Sequence, residues 1–163
     1  MQFSKFFNPF LYYNIILLVL FSLTVNYIES FSIINSISYS FLHFVIIYLS
    51  LYYFRKILYL IFFLIGLGTD LLLMNQIGPH IFIFMFVLFF FNRLKKYYIH
   101  LTSLKVYSFI LLIHAFMVLF EMITSNLLFN YSFNIAAFGQ LIVISLIFSF
   151  PIFLLFSKID NIK

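Results

Sequence analysis

The stretch Phe82-Ile83-Phe84-Met85-Phe86-Val87-Leu88-Phe89-Phe90-Phe91, followed at once by Asn92-Arg93-Leu94-Lys95-Lys96, decides the fold class. Its ten apolar side chains leave no polar face for water. A transmembrane barrel strand alternates polar and apolar with period two, and nothing alternates here. A helix, which satisfies every backbone group internally, suits such a run in a bilayer core. The cluster of cations behind it is the punctuation that marks the cytoplasmic end of a span.

The rest of the chain has the same character. Of 163 residues, 66% are hydrophobic, and only 13 are charged (9 Lys or Arg, 4 Asp or Glu). Ordinary globular domains carry about 25% charge, so this chain cannot cover a soluble fold with polar side chains. A soluble enzyme and a disordered chain are both excluded. The absence of cysteine excludes a disulfide framework, a thiol nucleophile and a Cys-ligated metal site. Phe and Tyr supply 24% of the residues, so a single aromatic side chain is weak evidence for a ligand cage.

Apolar runs recur at 10–28, 39–54, 57–74, 80–91, 106–125 and 135–156, separated by short polar stretches. The expectation is one all-α integral membrane domain over residues 1–163, with six transmembrane helices. The second and fourth runs are short for a bilayer, which takes about 20 residues per helix. Charge tests the count. With six spans, Lys5, Arg55, Lys56, Arg93, Lys95, Lys96, Lys105, Lys158 and Lys163 all fall on one side, and the opposite connections 29–38, 75–80 and 126–134 hold neither Lys nor Arg. The positive-inside rule then puts both termini in the cytoplasm. Five or seven spans would scatter the cations over both faces. No small-x-small cleavage site follows the first run, so it is expected to stay as a span rather than leave as a signal peptide.

Ionisable groups inside the runs are the functional candidates, because each costs about 2.5–3.5 kcal/mol at a span centre on the insertion scale. Asp70 lies 13 residues into the third run and Glu121 15 residues into the fifth, about 20 Å and 22 Å from the inner surface at 1.5 Å per residue. His80 opens the fourth run from the outer side. Glu29 and His43 lie near the outer ends of the first two runs, where water is within reach. Such carboxylates and histidines can hold a metal, act as a general acid and base, relay protons or fix a partner contact. Against these stands plain interhelical hydrogen bonding near the interface. His114 and Glu121, seven apart, share a helix face, but that spacing is not a metal motif.

Asp70 has the most unusual surroundings: Gly66-Leu67-Gly68-Thr69-Asp70-Leu71-Leu72-Leu73-Met74-Asn75-Gln76-Ile77-Gly78-Pro79-His80, with three of the four glycines. Gly66 and Asp70 share a face, and Gly66 admits a neighbouring backbone beside the carboxylate. Gly78-Pro79 turns the chain into the next helix. HExxH, GxSxG and Walker A sequences are all absent. An intramembrane aspartyl peptidase needs two acids that meet, and Asp160, in the inner tail, is on the wrong side from Asp70. The basic connection 93–105 suits anionic lipid rather than nucleic acid.

The pattern G-x-G-x-D-x7-G-x-H, here Gly66, Gly68, Asp70, Gly78 and His80, resembles the corresponding segment of the MreD family of rod shape-determining membrane proteins. Length, span count, the basic stretch Asn92-Arg93-Leu94-Lys95-Lys96 and Pro151 in the last run fit the same resemblance. Ile77, where the family has Pro or Leu, and the extra Pro79 depart from it. The resemblance implies a bacterial inner-membrane, multi-pass, non-enzymatic scaffold of the elongation machinery, without cofactor. Its implied partners are an MreC-like bitopic protein, an MreB-like filament, a RodA-like glycosyltransferase, a penicillin-binding transpeptidase and membrane lipids. Gly66, Gly68, Asp70, Gly78, His80 and Glu121 would serve partner binding or structure. The implied fold is similar to the substrate-binding subunits of energy-coupling-factor vitamin transporters. That likeness sustains the alternative function, a small-ligand-binding transporter subunit. A small intramembrane enzyme using Asp70 and Glu121 is a third reading, with no substrate clue.

Overall fold

The computed structural model describes residues 9–25, 32–74, 76–98, 103–129 and 135–160. They form six helices: α1 (Pro9–Val25), α2 (Ser32–Tyr52), α3 (Ile57–Met74), α4 (Pro79–Tyr98), α5 (Ser103–Phe129) and α6 (Ile135–Asp160). Among the described residues there is no strand. Three segments are long and apolar enough to cross a membrane: Ile33–Tyr52, Leu104–Leu128 and Phe138–Asp160. Pro9–Val25, Ile57–Leu73 and Pro79–Leu94 are shorter apolar helices. Lys5, Glu29 and Lys163 lie outside the described residues.

The helices outrun the apolar runs, because helix length follows backbone bonding rather than side-chain polarity. α2 begins at Ser32, inside the Ser/Asn stretch expected as a connection. α4 continues through Arg93 to Tyr98, since Lys and Arg are good helix formers. α5 extends to Phe129, and α6 includes Lys158 and Asp160, which therefore belong to a helix and not to a tail. Hydroxyls inside these helices return their bonds to the preceding turn: Ser50 to the Ile46 carbonyl at 2.7 Å, Thr69 to Ile65 at 2.8 Å and Thr124 to Phe120 at 2.6 Å. Polar side chains are thus accommodated without breaking an apolar helix.

Five helices pack in the cyclic order α3, α4, α5, α6, α1, closed by α1 against α3, and α2 runs through the middle against α1, α4, α5 and α6. The central place of α2 is visible residue by residue, for every position from Leu42 to Leu51 is buried. In lipid, apolar burial gives helices little reason to associate, and polar side chains decide which surface turns inward. α2 carries Ser38, Ser40, His43 and Ser50, all buried. The second run, short for a bilayer by its apolar residues alone, is therefore the one surrounded by protein. α6 is the opposite case: Val143, Leu146, Ile147, Phe150, Leu154 and Leu155 are exposed apolar side chains.

Contacts between helix ends fix the alternation. Tyr13 near the start of α1 meets Tyr48 late in α2 and Asp160 at the end of α6. Asp70 late in α3, His80 at the start of α4, Tyr39 early in α2 and Glu121 late in α5 meet at the other end.

Candidate functional site

The corner between α3 and α4 is built from Gly66, Asp70 and Pro79. A Cβ on Gly66 would lie 2.8 Å from Ile81 Cα and 3.2 Å from the His80 carbonyl carbon, so only glycine lets the start of α4 come this close. A helix N-terminus leaves its first N–H groups without intrahelical partners. Pro79 has none to leave, and its fixed φ suits the first helical position. The next two donors both go to Asp70: His80 N–H to Oδ1 at 3.2 Å and Ile81 N–H to Oδ2 at 3.1 Å. The carboxylate of α3 thus caps α4, at the helix end whose dipole favours negative charge. His80 Nδ1 completes the arrangement, 2.6 Å from Asp70 Oδ1. Asp70 is fully buried and His80 nearly so.

From His80 the polar groups continue inward. His80 Nε2 is 3.0 Å from the Tyr39 hydroxyl, and that hydroxyl donates to Glu121 Oε2. Glu121 Oε1 lies 3.3 Å from His43 Nε2, within ion-pair range but off the line of a hydrogen bond. The His43 ring stands 5.4 Å, centroid to centroid, from that of His114. His114 Nε2 is 2.6 Å from Ser145 Oγ, which is 2.9 Å from Ser40 Oγ. The column draws on α2, α3, α4, α5 and α6. His43 Nδ1 and His114 Nδ1 have no hydrogen-bond partner among the described residues.

Each buried acid has an imidazole beside it: Asp70 has His80, and Glu121 has His43. A buried unpaired carboxylate is far costlier than one matched by an imidazole that can take a proton. Among the described residues no group of three His, Asp or Glu is placed to hold a metal.

Neither Asp70 nor Glu121, 4% exposed, reaches the surface, because the central α2 brings His43 and Tyr39 to them in place of water. His43 is not at the margin either. α2 starts at Ser32, so His43 is eleven residues inside it and fully buried. Of the residues singled out in the sequence, Gly66, Asp70 and His80 form one corner, and Glu121 joins them through Tyr39. Gly78 is buried in the turn before Pro79. Gly68 stands apart, facing α1, where an added Cβ would meet the Phe21 ring at 2.7 Å. Tyr39 was missed; its four-residue spacing from His43, one helical turn, is the signal that pointed to it.

A second polar cluster lies at the opposite end. Asp160 accepts hydrogen bonds from Tyr13 at 3.0 Å, Tyr53 at 2.5 Å and Tyr48. Tyr13 also reaches the Phe156 carbonyl at 3.0 Å. Three phenols from α1, α2 and the residue after α2 clasp the end of α6. Arg55 lies beside this cluster, over the Phe10 ring at 4.4 Å.

No protein-family model matches this chain, and no curated protein or solved structure matches it either.

Proposed function

We propose that the chain crosses the bacterial inner membrane six times, with both ends in the cytoplasm, and serves as a non-enzymatic scaffold of the cell-elongation machinery. Two features support the six passes. The helices alternate in direction, with Arg55, Lys56, Arg93, Lys105 and Lys158 all at the Asp160 end by chain order. The shorter helices α1 and α4 pack on the central α2, and α3 packs on α4 and α1, so all six belong to one bundle. A basic end in the cytoplasm puts the Asp70–His80 corner toward the outer face.

The observation that carries the functional reading is the coincidence of that corner with the MreD-like segment. Asp70 and His80 of the pattern are turned into the bundle and Gly66 admits the start of α4, so their role is to hold a shape. What they hold is the turn before α4, where Gln76 and Ile77 are exposed, Ile77 by 64%. A rigid outer turn on a membrane bundle is a suitable contact for a bitopic, MreC-like partner. Depletion in the native rod-shaped bacterium tests this: cells are expected to round up, and rods of unchanged width and length would count against it. A photo-crosslinker at Ile77 should capture the bitopic partner.

One observation favours a second reading, the small-ligand-binding transporter subunit. His43 and His114 are buried with a ring nitrogen unpartnered among the described residues, and a polar ligand between α2 and α5 would satisfy them. A small molecule copurifying in stoichiometric amount would support that reading over the scaffold.

A further inference from the structure

We propose that Tyr39 is a proton bridge between two buried acid–imidazole pairs, passing a proton between His80 on α4 and Glu121 on α5. The inference follows from counting donors and acceptors. A tyrosine hydroxyl has one proton to give and lone pairs that accept, and imidazole donates from one or both nitrogens. Here one hydroxyl lies between His80 Nε2, at 3.0 Å, and Glu121 Oε2. Asp70 Oδ1 is on the other side of the imidazole, 2.6 Å from Nδ1.

Two arrangements of the same three protons satisfy every one of these bonds. In the first, His80 is doubly protonated. Its Nδ1–H donates to the Asp70 carboxylate and its Nε2–H to the Tyr39 oxygen, while the Tyr39 hydroxyl donates to ionised Glu121. In the second, His80 keeps only Nδ1–H, Tyr39 donates back to Nε2, and protonated Glu121 donates to the Tyr39 oxygen. The step between them breaks the His80 Nε2–H bond as a new Tyr39 O–H bond forms. It breaks the old Tyr39 O–H bond as a Glu121 O–H bond forms. No proton enters or leaves, and Tyr39 ends neutral.

Net charge is unchanged, but its position moves. In the first arrangement the unbalanced negative charge is on Glu121, with His43 Nε2 3.3 Å away to face it. In the second it is on Asp70, where the His80 and Ile81 N–H groups and the N-terminus of α4 face it. Each location has its own stabilising partner, which a proton-transfer chain requires and a purely structural hydrogen bond does not. Intramembrane chains of acids and histidines are the usual means of moving protons inside a bilayer. The titratable groups facing the bridge are Tyr39 and His43 of α2, Asp70 of α3, His80 of α4, and Glu121 and His114 of α5. Among the described residues α1 and α6 bring none to this end. The inference holds for a scaffold or a ligand-binding subunit alike.

The full chain in lipid nanodiscs provides the test, with carboxyl-13C glutamate and ring-15N histidine. The sequence has two glutamates, so Glu29→Gln leaves Glu121 as the sole infrared label. Groups coupled this closely titrate in steps that belong to the set rather than to one residue. The Glu121 carboxyl absorption and the His80 15N shifts should therefore change together, with shared midpoints. In Tyr39→Phe the two curves should separate, the Glu121 midpoint moving by about one pH unit or more. Independent midpoints in the parent chain would overturn the proposal without any variant, and so would superimposable curves for parent and Tyr39→Phe. Neither result bears on cell shape.

Discussion

Each end of the bundle draws carboxylates into a polar cluster, but the two ends do so differently. Asp70 and Glu121 are faced by the imidazoles of His80 and His43, and Tyr39 links the two pairs. Asp160 is held by the hydroxyls of Tyr13, Tyr48 and Tyr53, and among the described residues no cation is in ion-pair range of it. Phenols donate without titrating near neutral pH. With the proposed proton bridge the Asp70 end can change its charge pattern, while the Asp160 end is a fixed clasp on α6. A membrane bundle gains little from apolar burial, so these two clusters do most to decide which helix faces meet.

The largest effect should come from breaking the Asp70–His80 pair. Asp70→Ala leaves His80 Nδ1 and two N–H groups of α4 without partners, a change that costs about 3–5 kcal/mol for a buried pair. Denaturant unfolding in detergent measures this, and the corresponding loss for Asp160→Ala should be smaller, because Asp160 is only part-buried and its phenols are neutral. Equal losses would erase the distinction between the ends. Next comes Gly66→Ala. Its Cβ would meet backbone rather than a movable side chain, and overpacking of this kind costs about 2 kcal/mol. Gly68→Ala meets only the tip of Phe21 and should cost less than about 1 kcal/mol, so a reversed order would show that α1, not α4, sets the position of α3. At the Asp160 end Tyr13→Phe should cost about 1 kcal/mol, the usual net worth of one hydrogen bond. Tyr53→Phe should cost less, since Tyr53 is nearer the surface than fully buried Tyr13.

Helix identity was legible because unbroken apolar runs such as Phe82–Phe91 admit no other backbone arrangement in lipid. The α3–α4 corner was legible too: three glycines, one acid and Gly78-Pro79 leave few ways to pack. Helix ends were not, since Ser32 and Tyr98 continue helices past the last apolar residue. The depth of His43 was lost with the start of α2. Asp160 is the clearest miss. A tail acid beside Lys158 looks solvated, and only the return of α6 against α1 and α2 brings Tyr13 and Tyr48 to it. Such long-range pairing, 147 residues apart for Tyr13 and Asp160, leaves no local signature.

Labelling of single cysteines tests the six-pass account most directly, and the chain has no native cysteine to interfere. Gln76→Cys, in the exposed turn before α4, should react with a membrane-impermeant maleimide on intact cells. Lys56→Cys and Lys105→Cys should react only after the membrane is opened. Labelling of either lysine position on intact cells, or protection of position 76 until the membrane is opened, would contradict six passes with the acid–imidazole column toward the outside.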